Sequence, residues 1–466
     1  MPDRDRILLI RPYQNLKAES LMAPLGMMYL AAYLRRRGDV EVRIIDMAPA
    51  KLAYENLGRE IRNYHPDWLG ISALTFESEG LHRVAAIAKE VQPDLPVVAG
   101  GPHPSAYTTQ VMEDKNIDYA VIGEGELTAD DLSQALRTHS SVDTIDGLAW
   151  RENGSVHVNP RRRHIENLDA MPYPAWDLID IPSYRKFERM SRMGISDYMV
   201  LFTSRACPYR CLYCHKIFGK GFRARSPENV LTEIRMLHDT YGMREFEIID
   251  DIFNCDLRRA KRIFDLIAES GMKIRFTFPN GIRGDLGDEE FFAKARRAGA
   301  VYMGFSVETA SPRLQKMIRK NIQLDKISRN IELARKKGII CQGLFMLGFP
   351  SETREELQTT IDFAVRSKVH AAHLFIVNAY EGTELAELAK KMGKPVFNNF
   401  DNNYLTSGFT NLTDLPDKEI NRIRRRGLIR FWLKPSRVWA IVRDYPFKSK
   451  LPYLATILFR RLLLKI

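Results

Sequence analysis

Cysteine is scarce in this 466-residue chain, which has five cysteines and none of them in residues 1–206. An odd number, with three crowded into eight residues, does not suit a disulfide framework. No run approaches the roughly 18 uncharged apolar residues that a membrane-spanning helix needs. The first residues also lack the apolar core of a signal peptide. We therefore expect a protein of the reducing cytoplasm.

Acidic residues are rare near the other end of the chain. After Glu419 there are thirteen Lys or Arg residues and one acidic residue, Asp444, so this tail carries the whole net charge of +12. Its basic residues are mixed with Trp432, Trp439 and a terminal apolar stretch, a composition that suits a membrane surface or a lipid-like substrate. A helix docked on the rest of the protein, with a solvated basic face, is an equal alternative. We rank nucleic acid below these partners, although it also suits the charge.

Three cysteines, Cys207, Cys211 and Cys214, follow an apolar run that ends near Thr203. Their CxxxCxxC spacing can bind three irons of a four-iron cluster and leave the fourth iron open to another ligand. A structural zinc site is the main alternative, but it needs a fourth ligand, and His215 would have to fold back onto its own loop. The spacing therefore predicts a 4Fe-4S cluster, with these cysteines as its metal-binding and catalytic residues.

This spacing, with Tyr213 just before the last cysteine, resembles the signature of radical S-adenosylmethionine (SAM) enzymes. In that family the open iron binds the methionine moiety of SAM, and cleavage of the sulfonium gives a 5'-deoxyadenosyl radical. The resemblance implies a partial (β/α)6 barrel of the TIM type and an electron donor such as a flavodoxin or ferredoxin.

The sequence pattern independently predicts such a barrel, because six apolar runs alternate with helices over residues 198–400. The residues expected to begin or end these helices include Ser226, Gly242, Asp256, Asp288 and Gly299. Chemistry in barrels of this kind lies at the carboxyl ends of the strands. Asp250 and Glu308 follow the second and fourth predicted strands, and with Tyr213 they are the SAM contacts that the resemblance implies. We expect Asp251 to cap a helix or form a salt bridge instead.

Residues 1–150 contain five apolar runs separated by helical segments, which predict a doubly wound, Rossmann-like parallel sheet. Glycine-rich turns follow several of these runs, and each turn alone is common in ordinary loops. Together they resemble the cobalamin-binding domain that precedes the radical module in a large subfamily, the class B-type radical methyltransferases among them. The cobalamin contacts that this resemblance implies are Ser72, Leu74, Gly100, Gly101, His103, Gly123 and Glu124.

One feature of many cobalamin domains is missing. The Asp-x-His-x-x-Gly motif that supplies a cobalt-binding histidine is absent after the first run, where the chain has Arg11-Pro-Tyr-Gln-Asn-Leu-Lys. We therefore expect the cobalt to lack that ligand. His103 is the only nearby candidate, and we expect it to shape its loop or contact cobalamin rather than bind cobalt.

The expected domain order has four parts. A cobalamin-binding domain spans residues 1–150, and a connector of residues 151–197 contains prolines that disfavour helix and strand. The barrel spans residues 198–400, with an irregular loop near 398–404 that could cover its open side. A basic helical region spans residues 401–466.

The combined resemblance implies a cobalamin-dependent radical SAM enzyme, most simply a methyltransferase acting on an unactivated carbon of a lipid-like or natural-product substrate. Ring formation, ring contraction or oxidative rearrangement without methyl transfer would use the same cofactors. A tRNA methylthiotransferase is disfavoured because that class carries a second cluster in its N-terminal domain, where this chain has no cysteine. A cobalamin-binding sensor with an inactive barrel is disfavoured by the presence of all three cysteines, Asp250 and Glu308.

Overall fold

The computed structural model describes residues 4–13, 21–191, 197–215, 217–397, 411–452 and 455–456. The chain forms two compact units, one built from residues up to Phe187 together with Ile217–Gly219, and the other from Glu188 onward. None of the helices in the described ranges is long and apolar enough to cross a membrane.

The first unit contains a seven-stranded sheet with the order β2-β1-β3-β4-β5-β6-β7. The first five strands are parallel, as predicted, and β6 and β7 extend the sheet as an antiparallel hairpin. The strands are β1 (Asp5–Arg11), β2 (Val40–Asp46), β3 (Trp68–Ser72), β4 (Val97–Gly100), β5 (Tyr119–Val121), β6 (Leu148–Glu152) and β7 (Ser155–Val158).

Helices cover both faces of this sheet because the buried side chains of each strand point alternately to either side. In β1, Leu8 and Ile10 belong to one apolar core and Ile7 and Leu9 to another. This two-sided burial is the doubly wound arrangement that the apolar runs predicted. The helices are α1 (Leu25–Arg35), α2 (Tyr54–Tyr64), α3 (Ser78–Val91), α4 (Pro102–Ala106), α5 (Thr108–Val111) and α6 (Gly125–Thr138).

The terminal hairpin was not predicted, and it crosses the domain boundary expected at residue 150. All four residues of β7 are exposed, including Val156 and Val158, so the strand lacks the alternation of buried and exposed positions that marks a half-buried strand. The strand is defined by its antiparallel pairing with β6, which no pattern in the sequence of β7 indicates. The three boundaries between the four expected domains stay predictions.

The second unit is built on a six-stranded parallel sheet with the order β15-β14-β13-β12-β11-β8, which confirms the predicted barrel strands. A separate two-stranded antiparallel pair joins β9 to β10. The strands are β8 (Tyr198–Leu201), β9 (Ser204–Arg205), β10 (Arg223–Ala224), β11 (Glu245–Ile248), β12 (Arg275–Ile282), β13 (Ala300–Glu308), β14 (Ile340–Leu347) and β15 (Ala371–Ile376).

Three helices of this unit begin at the capping residues that the sequence predicts, and two of them end at the predicted glycines. Ser226, Asp256 and Asp288 each accept a hydrogen bond from a backbone N–H of the first turn, and Gly242 and Gly299 end helices in the left-handed conformation. The helices are α7 (Pro227–Tyr241), α8 (Leu257–Glu269), α9 (Glu289–Ala298), α10 (Pro312–Met317), α11 (Leu324–Lys336), α12 (Arg354–Arg366), α13 (Glu384–Lys391), α14 (Asp417–Trp432) and α15 (Pro435–Asp444).

Two helices of the basic tail pack on the second unit. Gly427 of α14 lies against the side chain of Ile361, where an added methyl group would come within 2.8 Å of it. The buried Arg437 of α15 donates to the backbone oxygens of Val365 (2.9 Å) and Ser367 (3.1 Å) at the end of α12. The docked-helix alternative therefore describes α14 and α15, whereas most of the terminal apolar stretch and the loop at 398–404 lie outside the described residues.

Candidate active site

The three predicted cluster ligands lie in one loop. Cys207, Cys211 and Cys214 are in the segment that joins β9 to β10, close to the carboxyl end of β8. Ala206, immediately before the first cysteine, has φ = +68°, a left-handed conformation that is unusual for a residue with a side chain. The cysteines therefore start from a sharp backbone turn at the end of the sheet where barrel enzymes carry their chemistry.

Backbone contacts fix this loop to neighbouring parts of the second unit. The N–H of Leu212 donates to the oxygen of Ile318 (3.0 Å), and its own oxygen accepts from the N–H of Leu385 (2.9 Å). The ammonium of Lys220 donates to the oxygen of Tyr209 (3.1 Å). The middle of the loop is thus held from two sides, which limits how far the cysteines can separate.

Burial and neighbouring charges disfavour ionisation of the cysteine thiols. Burial raises the pKa of Cys214 to about 11, with Lys220 acting in the opposite direction and Cys211 raising it further. Burial also raises the pKa of Cys207, where the neighbouring Cys211 adds to the effect. Forming three thiolates so close together is unfavourable unless a cation shares their charge, and the irons of a cluster provide that charge.

The three thiolates fit a four-iron cluster in which three irons each bind one cysteine and the fourth iron is open to another ligand. Among the described residues, no three Cys, His, Asp or Glu side chains converge on a point where a single metal ion could sit. Cys207, Cys211 and Cys214 are the residues that would hold the cluster.

Asp250, the predicted contact for SAM, is deeply buried at the end of β11. Its carboxylate accepts hydrogen bonds from the backbone N–H and hydroxyl of Thr203 (2.6 and 2.5 Å) and from the hydroxyl of Ser204 (2.6 Å). Burial raises its pKa. Asp250 therefore ties the turn that leads into the cysteine loop, and its predicted contact with SAM stays a prediction.

Asp251 is placed differently from its neighbour. Its side chain is exposed, and its charge is close enough to Cys207 and Cys214 to contribute to the raised pKa of both thiols. The cap of the following helix α8 is Asp256, so the capping role expected of Asp251 is wrong for that helix. Of the two adjacent carboxylates, Asp251 is the exposed one.

Glu308, at the end of β13, joins the cysteine loop to a buried cation. Its carboxylate is 3.1 Å from the ammonium of Lys320 and accepts a hydrogen bond from the hydroxyl of Tyr213. Burial raises the pKa of Tyr213 well above its ordinary value, and Glu308 raises it further. Burial alone would lower the pKa of Lys320, but Glu308 and Cys211 outweigh it and the pKa is raised. The structure thus brings together two predicted residues and one that the sequence analysis missed.

Left-handed backbone is concentrated around this site. Among the residues of the second unit that the structure describes, five with side chains have positive φ: Ala206, Glu308, Arg319, Asn321 and Ser351. Each such residue costs about 1–3 kcal/mol and persists only where the surroundings enforce it. All five lie in segments that follow barrel strands or flank the cysteine loop, so the strain coincides with the candidate active site.

The turn after β14 has a capping carboxylate of its own. One oxygen of Glu352 accepts from the backbone N–H groups of Gly348 (2.5 Å) and Phe349 (2.9 Å). The other oxygen has no hydrogen-bond partner among the described residues. Burial raises the pKa of Glu352 to about 7, although the two N–H bonds act in the opposite direction.

In the first unit, the predicted residues after β3 and β4 meet. The N–H of Ala73 donates to the oxygen of Gly100 (3.1 Å), and the N–H of His103 donates to the oxygen of Ala73 (3.1 Å). Gly101 has φ = +93°, and a methyl group there would lie 2.9 Å from the hydroxyl of Ser72. Only glycine fits this position, which lets the two loops pack at the carboxyl edge of the sheet.

His103 is almost fully buried in this edge and its ring stacks on Tyr107 at 4.9 Å. Burial lowers its pKa to about 4, so the imidazole is uncharged at neutral pH. This environment agrees with a loop-shaping role, and its contact with cobalamin stays a prediction.

The remaining predicted positions also lie at this edge. Gly123 has φ = +88° and its N–H donates to the hydroxyl of Ser105 (2.9 Å). The buried carboxylate of Glu124 accepts from the N–H of Ile165 (2.8 Å) and is 3.5 Å from His164. Glu124 thus fixes the segment after the hairpin to the end of β5.

A buried ionic network at the same edge was missed by the sequence analysis. Arg11, the last residue of β1, lies 2.9 Å from Glu77 and 3.8 Å from Asp46, the last residue of β2. Glu77 in turn accepts from the N–H of Leu74 (2.8 Å), and Tyr184 donates to Asp46 (2.7 Å). Because β1 lies between β2 and β3, where the strand order reverses, this network borders the crevice in which such sheets bind ligands.

Together, the fold and the site define a radical SAM-type barrel joined to a Rossmann-like domain. Residues 15–133 match the model of the B12 binding domain, and residues 201–364 match that of the radical SAM superfamily. An uncharacterized methyltransferase, PH0819 of Pyrococcus horikoshii, is 33% identical over 438 residues, which cover 92% of this chain and 93% of the relative. This chain belongs to the B12-binding radical SAM enzyme family, methyltransferase-like in type, which confirms the predicted combination of cobalamin, SAM and a 4Fe-4S cluster.

Two further proteins extend the comparison. The cytidylyl-2-hydroxyethylphosphonate methyltransferase of Streptomyces wedmorensis is 27% identical over 445 residues, and the aligned region covers 83% of this chain and 82% of that relative. The solved structure of TsrM, a radical SAM methyltransferase of Kitasatospora setae with cobalamin and a 4Fe-4S cluster bound, superposes with a TM-score of 0.73. That match covers 93% of this chain and 90% of TsrM at 16% identity, so it supports the fold.

Proposed function

We propose that this cobalamin-dependent radical SAM enzyme transfers a methyl group to an unactivated carbon of a lipid-like or natural-product substrate. The observation that carries the proposal is the cysteine loop, whose Tyr213 contacts Glu308, in a chain that also matches the B12 binding domain. The relatives named as methyltransferases over most of their length support methyl transfer rather than another outcome.

When bound, the cofactors supply a hydrogen-abstracting radical and a transferable methyl group. In our proposal Cys207, Cys211 and Cys214 hold the cluster, while Tyr213 and Glu308 shape the pocket for SAM. Asp250 fixes the turn before the cysteines. The role of this chain in the chemistry is to hold the reactants in one orientation and to keep water and other hydrogen donors away from the radical.

The cobalamin site in this proposal is the carboxyl edge of the first sheet. In our proposal its loops accept the cofactor through backbone contacts, and the left-handed Gly101 lets the loops after β3 and β4 pack closely there. The residues that we assign to it are Ser72, Leu74, Gly100, Gly101, His103, Gly123 and Glu124.

Reductive cleavage of SAM consumes an electron, so a small electron carrier is a required partner in this proposal. A flavodoxin or a ferredoxin is the expected donor. In the laboratory a chemical reductant such as dithionite can take its place.

Peripheral membrane contact is the finer part of the proposal, and one surface supports it. On α15, Val438, Trp439 and Val442 share a helix face and are 50%, 64% and 43% exposed. Leu433, just before this helix, is 66% exposed. An apolar face with a tryptophan, on a tail rich in cations, is typical of helices that lie in the headgroup region of anionic membranes.

The experiment that tests the proposed function uses the full chain, reconstituted anaerobically with iron, sulfide and hydroxocobalamin and then desalted. We expect the visible spectrum to show retained corrinoid bands on the broad cluster absorption. Incubation with SAM carrying a deuterated methyl group, dithionite and either a lipid extract or a polar metabolite extract should yield a labelled product. S-adenosylhomocysteine and 5'-deoxyadenosine should form together.

Cys211→Ala should abolish the cluster absorption and 5'-deoxyadenosine formation, whereas Cys341→Ala, which changes a cysteine buried in the core, should retain both. A cluster spectrum without corrinoid would contradict the cobalamin-dependent reaction. Formation of 5'-deoxyadenosine without S-adenosylhomocysteine would favour ring formation or rearrangement over methyl transfer.

A further inference from the structure

Lys320 is held in an unusual backbone segment beside the cysteine loop. Its neighbours on both sides, Arg319 (φ = +56°) and Asn321 (φ = +48°), are left-handed. The N–H groups of Lys320 and Asn321 both donate to the oxygen of Gln315, and the oxygen of Lys320 accepts from the guanidinium of Arg283 (3.0 Å). These contacts stabilise a backbone conformation that is otherwise unfavourable for residues with side chains, and they fix Lys320 between the two strained positions.

The ammonium of Lys320 lies beside the cysteine loop, against a carboxylate of the candidate active site. It is 3.1 Å from the carboxylate of Glu308, and the two side chains are only 12% and 10% exposed. Tyr213, within the cysteine loop, donates to the same carboxylate. The positive charge is close enough to Cys207 and Cys211 to interact with both. The pair is therefore part of the electrostatic surroundings of the three cysteines.

A purely structural role does not account for this arrangement well. The free-energy cost of removing two opposite charges from water offsets most of the attraction between them. A buried ion pair therefore stabilises a protein less than apolar residues of similar size would. Here left-handed backbone also occurs on each side of Lys320 and at Glu308 itself. The placement is better explained by what the charges do to the cysteine loop.

We propose that Lys320 is a positioning residue that sets the charge around the cluster held by Cys207, Cys211 and Cys214. Its ammonium fixes Glu308 and, in our proposal, raises the reduction potential of the cluster. Reduction adds one negative charge to the cluster, and a nearby cation stabilises the reduced state more than the oxidised state. Glu308 acts in the opposite direction, so the two members of the pair have opposite effects on the potential.

The test is an EPR-monitored redox titration of the full chain, reconstituted with iron and sulfide and measured at one pH without SAM. We expect Lys320→Met to move the midpoint to a more negative potential and Glu308→Gln to move it to a more positive one. Lys320→Arg keeps the charge and should stay near the wild-type midpoint. Lys316→Met removes an exposed lysine of α10 and is the matched control, for which we expect no shift.

A general loss of packing would not move the midpoint potentials of Lys320→Met and Glu308→Gln in opposite directions. Unchanged midpoints, or shifts of both variants in the same direction, would overturn the proposal. If Lys320→Met fails to retain iron, the midpoint of Glu308→Gln decides, since only a positive shift agrees with the proposal. The midpoint does not depend on corrinoid or substrate, so failure of the proposed methyl transfer would leave this result standing.

Discussion

The guanidinium of Arg11 at the end of β1 forms a buried ion pair with Glu77, at 2.9 Å. Glu77 also accepts from the N–H of Leu74, so the pair connects the end of the first strand to the loop that follows the third. The classical position of a cobalt-binding histidine lies a few residues beyond Arg11 in other cobalamin domains. In this chain a buried charged network is fixed at the end of β1.

Replacing Arg11 with methionine is expected to destabilise the first unit. The change leaves Glu77 buried without its cation, and breaking a buried pair in this way typically costs about 3–5 kcal/mol. Hydrogen exchange of the full chain, followed by mass spectrometry, should show lower protection of peptides from β1 and β3. Corrinoid retention should fall as well.

The double variant Arg11→Met with Glu77→Leu serves as the control, because it removes both charges. We expect it to recover much of the lost protection. Equal losses in the single and double variants would show that the ion pair does not fix this loop.

The two adjacent aspartates after β11 should respond differently to loss of charge. Asp250→Asn weakens the hydrogen bonds that Thr203 and Ser204 donate to the carboxylate, and a hydrogen bond to a charged group typically contributes about 1.5–3 kcal/mol. The midpoint of thermal unfolding should therefore fall. Asp251→Asn changes an exposed residue and should leave that midpoint unchanged. We expect it instead to weaken SAM binding about tenfold, as loss of one charge-assisted contact does.

Equilibrium binding of SAM to the reconstituted variants, together with thermal melting, checks both expectations. Weaker SAM binding by Asp250→Asn, with no change in melting temperature, would support the contact with SAM that the sequence predicts for Asp250. A fall in melting temperature for Asp251→Asn would instead show that its side chain has a structural role.

Sequence reasoning worked where the signal was local. The caps at Ser226 and Asp288 and the left-handed Gly299 set helix boundaries through contacts within a few residues, so they could be read directly. The cysteine spacing worked for the same reason. Strand β7 was missed because all its residues are exposed and its only signal is pairing with β6.

The parts of the site that could not be predicted depend on contacts between distant segments. Glu308 was predicted from its place after the fourth strand of the barrel, but Lys320 meets it across a helix and a left-handed turn, and no periodic pattern marks Lys320. Arg11 meets Glu77 across 66 positions of the chain. Which of Asp250 and Asp251 is buried depends on how β11 ends, since adjacent residues point in opposite directions.

Glu352 should make stability depend on pH. Burial raises its pKa from an ordinary value of 4.5 to about 7 in the folded protein, so between these values the folded state binds a proton that the unfolded state has lost. Its contribution is therefore fully present below pH 4.5 and is lost as the pH rises to about 7. The full effect is on the order of 3 kcal/mol.

Glu352→Gln keeps an acceptor for the N–H groups of Gly348 and Phe349 but removes the titration. We expect the difference in thermal midpoint between the variant and the wild type to grow in favour of the variant from pH 5 to pH 7 and then level off. Glu332→Gln, which alters an exposed carboxylate on α11, is the control and should give a difference that does not follow this curve. A constant difference for Glu352→Gln would contradict the raised pKa.

The exposed face of α15 should determine binding to anionic membranes. Replacing Val438, Trp439 and Val442 with serine removes apolar surface that the folded protein leaves exposed, so stability should change little. Cosedimentation with vesicles of phosphatidylglycerol and phosphatidylcholine should fall at least tenfold, and wild-type binding should weaken at high salt because exposed cations contribute. Serine at Val156 and Val158, exposed on β7, is the matched control and should not reduce binding. Equal binding by all three proteins would contradict a membrane role for this helix, and wild-type binding to pure phosphatidylcholine that salt does not weaken would contradict the contribution of the cations.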